Sequence, residues 1–427
     1  MSMEMETIIP LSLAQIKFGP GATEELGYEL KVRGVSTALL VVDGQLWKVG
    51  LADKVKAILV GEGIDVAVYD NVHVEPTDES FTQAAESVRD LDFDAIVALG
   101  GGSTIDTAKA INLLTTHGGD VHDYINKPIG GGKPVPGPMR LLFALPTTSG
   151  TGSETTPTIA LEVVKLRVKT GMSHVYNRPT MAIVDPLNTL SSPPAVTAYA
   201  GLDVFTHAAE SYTIKPYNAR PKPENPGARP AYVGANPISD LWCEKALEWM
   251  GKYLRRAYYN GQDMEARTYM SMAASFAGIG FGNAGVHIPH ALGYPIAGMV
   301  RDWMPAGYEV DHPMVPHGLA TAITAPSSFR FTAPTNPEKH ARIAELMGVK
   351  TRGISATDAA LKLPEALVQL LRDLDCPNGL SALGYTTADI PEMVEGGWKQ
   401  QRLLVGSPRP LTKQHLAYIF EESMILW

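Results

Sequence analysis

Short apolar runs alternate with amphipathic stretches through the first half of the chain. The apolar runs, which are rich in β-branched residues, predict strands at 38–42, 64–69, 95–99, 141–145 and 180–185. The amphipathic stretches between them predict helices at 48–60, 80–90 and 103–114. Buried strands that alternate with helices of this length favour a parallel, doubly wound α/β sheet with both faces covered.

The pattern changes after Pro194, where apolar positions follow the helical period. It predicts helices at 196–212, 238–258, 264–281, 337–346 and 359–373. We therefore expect an α/β domain over residues 1–190 and an all-α, helical domain over residues 191–427. The Pro-rich segment 214–237 interrupts the helices and is predicted to be a long loop, which can be a lid or a spacer.

Composition narrows the possible partners and the compartment. The 427 residues include 36 basic and 45 acidic side chains, with a formal charge of -9 and no long run of either sign. This balance argues against nucleic acid or an anionic membrane surface as a partner and favours a small molecule. Two cysteines are too few for a disulfide framework. The acidic start and the lack of a long apolar run then predict a cytoplasmic protein.

Two glycine-containing turns follow predicted strands. Gly100-Gly-Gly-Ser103 lies between a strand and a helix, so backbone amides and the helix N-terminus can approach a pyrophosphate closely. A tight connection capped by Ser103 is the structural alternative. Pro146-Thr-Thr-Ser-Gly-Thr-Gly-Ser153 offers many hydrogen-bond donors with little bulk, which suits phosphate and carboxamide groups. A plain polar loop has the same composition.

Asp43 directly follows the strand predicted at 38–42. Ligands of open α/β sheets bind at the carboxyl ends of strands, where an acid can accept hydrogen bonds from both hydroxyls of an adenosine ribose. The same charge repels a 2'-phosphate, so the position favours NAD over NADP. A turn-forming Asp before Gly44 explains the residue equally well.

An acid and several imidazoles recur in the helical half. Asp203 and His207 are one helical turn apart and share a face, although a hydrogen-bonded pair near a helix start has the same spacing. His290 lies at a predicted helix start, and His317 lies in a turn before another apolar helix. Together these residues make an Asp-His-His-His set, the composition expected of a site for Fe(II) or Zn(II).

These segments occur in the order and spacing of the iron-containing (group III) alcohol dehydrogenases, which the chain resembles over nearly its whole length. The segments are Gly100-Gly-Gly-Ser103, Pro146-Thr-Thr-Ser-Gly-Thr-Gly-Ser153, Gly201-Leu-Asp-Val-Phe-Thr-His207, His290-Ala-Leu-Gly-Tyr-Pro295 and Pro316-His-Gly318. The segments 229–240, 278–287 and 310–317 are similar to the hydroxyacid-oxoacid transhydrogenase branch in particular.

The resemblance implies a dinucleotide-binding first domain, a metal-binding and catalytic second domain, and hydride transfer between an alcohol or hydroxy acid and NAD or an oxo acid. The implied metal ligands are Asp203, His207, His290 and His317. The implied cofactor residues are Asp43, Gly101, Gly102, Ser103, Asp106, Thr147, Thr148, Thr151, Lys169 and Leu187. The expected partner is a small-molecule alcohol, aldehyde, hydroxy acid or oxo acid, with 4-hydroxybutyrate and 2-oxoglutarate as examples of the acids. The family also leads us to expect a homo-oligomer, most simply a dimer.

The chain departs from many members of this family at one position near the reacting carbon. Those members have a second His four residues after the first metal His of this segment, whereas this chain has Tyr294. The candidate proton relays are therefore Tyr294, His287 and solvent. A hydroxy acid also needs a cation for its carboxylate, and the candidates are Arg220, Lys222, Arg229 and Arg301.

Three other functions stay open at this point. A plain NAD-dependent alcohol or aldehyde dehydrogenase would have the same site but release NADH. A dehydroquinate synthase-like enzyme would share the general architecture without net redox chemistry. A metal-stabilised scaffold would have the ligands without any catalysis.

Overall fold

A computed structural model describes residues 4–166 and 168–427. The described chain forms two compact units. The α/β unit contains Ser12–Ser192 and Gly261–Ser275, and the helical unit contains Pro193–Asn260, Phe276–Trp427 and the segment that ends at Leu11. The predicted division into domains at residues 190 and 191 stays a prediction, because contacts within a unit do not show which part folds alone.

The α/β unit contains the strands and helices predicted for the first half, with additions. Its strands are β1 (Gln15–Phe18), β2 (Thr37–Val42), β3 (Asp65–Tyr69), β4 (Ala95–Gly100), β5 (Leu141–Pro146), β6 (Thr158–Val163), β7 (Val168–Ser173) and β8 (Met181–Val184). Its helices are α1 (Leu26–Lys31), α2 (Gln45–Lys48), α3 (Leu51–Gly61), α4 (Asp78–Ser87), α5 (Gly102–His117) and α6 (Val121–Tyr124). The short edge strand β1 and the β6–β7 hairpin were not predicted.

The main sheet has six parallel strands in the order β1-β8-β5-β4-β2-β3. Alternate residues of β2 enter different cores, because successive side chains of a strand point to opposite faces. Leu40 packs in a core with residues of α1 and α3, whereas Leu39 packs in a core with residues of α4 and α5. Helices therefore cover both faces, which confirms the predicted doubly wound sheet.

The second half is helical, as predicted. Its helices are α7 (Pro194–Thr213), α8 (Pro237–Tyr259), α9 (Met264–Ala284), α10 (Ile288–Gly298), α11 (His317–Thr332), α12 (Pro337–Leu346), α13 (Ala356–Asp373), α14 (Ile390–Trp398), α15 (Gln401–Leu404) and α16 (Lys413–Glu422). The first part of α9, up to Ser275, belongs to the α/β unit. Over the described ranges, no helix is long and apolar enough to cross a membrane.

Helices α7 and α11 pack closely because glycine stands at the crossing. A Cβ atom on Gly318 would lie 1.9 Å from the carbonyl oxygen of Tyr199 and 2.9 Å from the Cβ of Asp203. Further along the two helices, the hydroxyl oxygens of Thr206 and Thr321 are 3.1 Å apart. A side chain at residue 318 would force the helices apart. The glycine therefore brings the first residue of α11, His317, up to α7.

Candidate functional site

The four predicted metal ligands lie together inside the helical unit. Asp203 and His207 come from α7, His290 from α10 and His317 from the start of α11. One potential ligand atom from each residue lies within 4.8 Å of all the others. Asp203 and His207 are nearly fully buried, whereas the side chain of His317 is 23% exposed. The cluster is therefore closed on most sides, with His317 at its accessible side.

The distances within the cluster fit a shared ion better than direct hydrogen bonds. Carboxylate oxygens of Asp203 lie 3.6 Å from His207 Nδ1, 3.7 Å from His290 Nε2 and 3.8 Å from His317 Nε2. These separations exceed ordinary hydrogen-bond lengths. Ligand atoms about 2.1 Å from one tetrahedral ion are separated by about 3.4 Å. The set therefore leaves the space that a divalent ion requires.

The imidazoles also have the lone pairs that a metal needs. His207 Nδ1 and His290 Nε2 are buried and have no hydrogen-bond partner among the described residues. Burial, together with the neighbouring His290 and His317, holds the pKa of His207 well below its usual value. The His207 ring is neutral as a result and stacks on Phe281, with ring centres 3.8 Å apart. Buried nitrogen atoms without partners are costly unless a ligand satisfies them, so these residues fit a metal.

Glu210 fixes the orientation of His290. It lies on α7, one turn after His207, and is fully buried. His290 Nδ1 donates to Glu210 Oε1 at 2.5 Å, which leaves the Nε2 lone pair directed at the cluster. Burial lowers the pKa of His290, but the charge and hydrogen bond of Glu210 outweigh it and leave that pKa raised. The sequence reasoning missed Glu210, although its spacing from Asp203 and His207 on one helix face was a usable signal.

Glu210 also caps the helix that carries His290. Its Oε2 accepts hydrogen bonds from the backbone N–H groups of His287, at 2.6 Å, and His290, at 3.4 Å. These N–H groups belong to the first turn of α10, where no intrahelical acceptor exists. One carboxylate on α7 therefore positions both the backbone and the imidazole of α10.

The two candidate proton relays occupy different surroundings. His287 is fully buried, and its Nε2 lies 3.1 Å from the Thr213 hydroxyl. Burial lowers the pKa of His287 to about 4, so its ring is neutral near pH 7. Tyr294 lies one turn after His290 on α10, and its ring stacks on His317 with centres 6.2 Å apart. Tyr294, not His287, therefore contacts a member of the cluster at its accessible side.

The predicted cofactor residues follow neighbouring strands of the main sheet. The order of strands reverses between β2 and β4, and such a switch point opens a crevice at the carboxyl ends of the strands. Asp43 follows β2, Gly101 follows β4, Thr147 follows β5, and Leu187 follows the end of β8 by a few residues. The topology thus places these four residues along one edge of the sheet.

The glycine turn after β4 packs against the threonines after β5. A Cβ atom on Gly101 would lie 3.3 Å from Thr148 Oγ1, and one on Gly102 would lie 2.6 Å from Thr151 Cγ2. Only glycine fits at residue 102, so the threonines come within reach of the first backbone amides of α5. This arrangement provides N–H and hydroxyl donors at a helix N-terminus, as an anionic phosphate requires.

Ser103 and Lys169 are linked through Glu75, a residue that the sequence did not indicate. The Glu75 backbone N–H donates to Ser103 Oγ at 3.2 Å, and the Glu75 carboxylate forms an ion pair with Lys169 on β7. Asp106 is instead engaged inside the unit. It accepts hydrogen bonds from Ser153 Oγ at 2.5 Å and from the Ala160 backbone N–H at 2.8 Å.

All four candidate cations for a substrate carboxylate have acidic neighbours. Arg229 donates to the buried carboxylate of Glu6 at 2.8 Å, and Arg220 lies 3.6 Å from the same group. Lys222 pairs with Glu4, and Arg301 pairs with Asp389. Each of these four candidates therefore lies beside an acid of the chain, which would compete with a substrate carboxylate.

Two family models match most of the chain. Residues 14–186 match the iron-containing alcohol dehydrogenase model, and residues 230–424 match the C-terminal model of the Fe-containing alcohol dehydrogenase family. The chain belongs to the iron-containing alcohol dehydrogenase family. This confirms the resemblance predicted from the motifs, and it makes the protein an enzyme of the oxidoreductase class.

Individual proteins and solved structures are similar to this chain over nearly its whole length. A Bos taurus protein named "Hydroxyacid-oxoacid transhydrogenase, mitochondrial" is 47% identical over 98% of this chain and 90% of its own length. A crystal structure of 1,3-propanediol oxidoreductase is 32% identical, covers 98% of this chain and 100% of its own, and has a TM-score of 0.85. Sulfoacetaldehyde reductase from Bifidobacterium kashiwanohense, solved with NAD+, is 25% identical over 98% and 99% of the two chains, with a TM-score of 0.79.

The expected cytoplasmic location is contradicted by the same comparison. The bovine relative is named as mitochondrial, and so is the human protein, which is also 47% identical. The expectation was wrong because it used composition and the first few residues. The packing of a folded enzyme does not depend on its compartment, and targeting is decided by separate signals that leave no trace in the core.

Proposed function

We propose that this protein transfers hydride between a hydroxy acid and an oxo acid through a nicotinamide cofactor, the activity named for its bovine relative. The observation that carries the proposal is the buried Asp203-His207-His290-His317 cluster within a chain 47% identical to that relative. An ordinary NAD-dependent alcohol dehydrogenase is the second candidate. The 32% identity to 1,3-propanediol oxidoreductase favours it.

We assign the cluster to a divalent metal, Fe(II) first and Zn(II) as the alternative, since both accept carboxylate and imidazole ligands. When bound, the ion supplies Lewis-acid polarisation of the substrate oxygen, which lowers the pKa of an alcohol. Glu210 holds the His290 imidazole in the tautomer that offers Nε2. Phe281 covers the His207 ring and keeps water from that side.

We assign the nicotinamide cofactor to the edge of the sheet where β2, β4, β5 and β8 end. The amides around Gly101 and Gly102 and the hydroxyl of Ser103 meet the pyrophosphate. Thr147, Thr148, Thr151 and, further along the chain, Leu187 line the cofactor, and Asp43 accepts the ribose hydroxyls. Because Asp106 is engaged within the protein and Lys169 is paired with Glu75, both support the phosphate turn from behind.

For the proton, we favour Tyr294 over His287. The Tyr294 ring stacks on His317, the most exposed member of the cluster, whereas His287 is fully buried with its Nε2 3.1 Å from the Thr213 hydroxyl. A group that exchanges protons with solvent must be reached by solvent. A homo-oligomer, with a dimer as the expected state, remains a proposal that only the family supports.

The decisive experiment uses metal-loaded enzyme that has been dialysed extensively. A hydroxy acid such as 4-hydroxybutyrate and an oxo acid such as 2-oxoglutarate are mixed with it, no NAD is added, and both products are followed by chromatography. The proposal expects the two products to form in equal amounts. If turnover requires added NAD and NADH accumulates in step with product, the enzyme is a plain dehydrogenase.

A separate variant tests the ligand assignment. His317→Ala should remove bound metal and turnover while far-UV circular dichroism and NAD binding stay close to wild type, because this side chain is partly exposed and packs little of the core. Metal content is measured by elemental analysis. A variant that retains both its metal and its activity would exclude His317 as a ligand.

A further inference from the structure

Arg402 lies beside the candidate active site and has no acidic partner among the residues that the structure describes. It belongs to α15, and its Nη2 donates to the Tyr294 hydroxyl at 3.0 Å. Its Nε is buried and has no hydrogen-bond partner within residues 4–166 and 168–427. Withdrawing a guanidinium from water is costly unless an anion compensates it. The lack of a carboxylate beside Arg402 in the described chain therefore indicates a place for an anionic ligand.

Contacts through Tyr294 connect this guanidinium to the metal cluster. Tyr294 follows His290 by one helical turn on α10, so the two side chains share a face. The centre of the Tyr294 ring lies 6.2 Å from the centre of the His317 ring and 5.9 Å from the guanidinium carbon of Arg402. Arg402 is thus one aromatic ring away from the ligands.

The other candidate cations of the helical unit, unlike Arg402, have acidic partners. Arg229, Lys222 and Arg301 each form an ion pair with an acid of the chain. The planar fork of an arginine can bind a carboxylate with two parallel hydrogen bonds. Only one of its nitrogens is occupied by Tyr294, which leaves N–H groups for such a ligand.

We propose that Arg402 binds the carboxylate of the substrate and thereby selects hydroxy acids over neutral alcohols. The inference rests on the proposed function, since it assumes that the alcohol reacts at the cluster. The Tyr294 ring separates Arg402 from that cluster. A substrate that spans both must therefore have several carbons between its hydroxyl and its carboxylate. A 4-hydroxy acid meets this requirement, and so does the distal carboxylate of 2-oxoglutarate, whereas a 2-hydroxy acid whose only carboxylate adjoins the hydroxyl-bearing carbon is too short.

The test compares wild type with Arg402→Gln and Arg402→Lys. The ratio of kcat/KM for 4-hydroxybutyrate to that for 1-butanol, a neutral alcohol of the same chain length, reports on the carboxylate contact. Removal of a charged hydrogen bond should lower this ratio by roughly 10- to 100-fold in Arg402→Gln. Arg402→Lys should recover part of the loss, because it restores the charge but not the fork. Arg301→Gln is the matched control and should leave the ratio unchanged.

Binding provides a readout that does not depend on turnover. Butyrate has the carboxylate but no hydroxyl to oxidise, and its affinity is measured by isothermal titration calorimetry. Its Kd should rise by roughly 10- to 100-fold in Arg402→Gln. The role of Arg402 would be overturned if Arg402→Gln lowered kcat/KM for 4-hydroxybutyrate and 1-butanol by the same factor and bound butyrate as tightly as wild type does. That result would leave the proposed function intact. Wild-type enzyme that oxidises neither probe would refute the proposed function, while the butyrate titration would still test Arg402.

Discussion

Glu210→Gln tests whether one carboxylate on α7 prepares the metal site. Glutamine has nearly the same shape, but it has one acceptor oxygen and one NH2 group in place of two acceptor oxygens. In the structure, one Glu210 oxygen accepts from His290 Nδ1 and the other accepts from the His287 backbone N–H. In either orientation of the glutamine amide, its NH2 group faces one of these two N–H donors and cannot accept a hydrogen bond from it.

The expected magnitude follows from those contacts. A buried donor left without an acceptor costs about 1–3 kcal/mol, so the apo protein should unfold at a lower temperature. Loss of the carboxylate behind a ligating imidazole weakens metal binding by about 10- to 100-fold. Without the carboxylate, the His290 imidazole is less basic and the tautomer that presents Nε2 to the metal is no longer fixed.

The assay is competition with a chelator of known affinity, using Zn2+ and Fe2+ separately, together with thermal melting of the metal-free protein. Glu244→Gln is the matched control, because Glu244 also accepts a hydrogen bond from α7, at 2.6 Å from the Tyr212 hydroxyl. The control should leave metal affinity unchanged. A folded Glu210→Gln variant with wild-type metal affinity would refute the role given to Glu210.

Three further predictions concern other parts of the chain. Asp43→Gly should narrow the preference for NAD over NADP, measured as a ratio of kcat/KM values, since it removes the charge that repels a 2'-phosphate; wild type that already uses both would refute this. Gly318→Ala should destabilise the protein by about 1–3 kcal/mol or more and lower its metal content, since the new Cβ would overlap the Tyr199 carbonyl oxygen; an unchanged melting temperature would contradict it. The hydrogen bond from Arg229 lowers the pKa of Glu6 from 4.5 to about 2, so its stabilisation is complete above pH 4.5 and is lost as the pH falls towards 2. The difference in melting temperature between wild type and Glu6→Gln should therefore shrink over that range, and a constant difference would exclude this linkage.

Much of the fold could be read from local patterns. The runs 38–42, 95–99 and 141–145 became the central strands β2, β4 and β5. A period of two or 3.6 residues decides which side of an element is apolar, and that requires only neighbouring residues. The edge strand β1 and the β6–β7 hairpin were missed because short or edge strands have weak apolar patterns, and partners far along the chain decide them.

The sequence by itself determined the types of the elements, the glycine turns and, through ordered motifs, the residues of the Asp-His-His-His set. Only the tertiary structure shows that Glu210 accepts hydrogen bonds from the start of α10, that Gly318 packs against α7, and that Arg402 donates to the hydroxyl of Tyr294. Each of these contacts joins segments that are far apart in the chain. Sequence periodicity describes one element at a time, whereas such contacts depend on the angle and distance at which two helices pack.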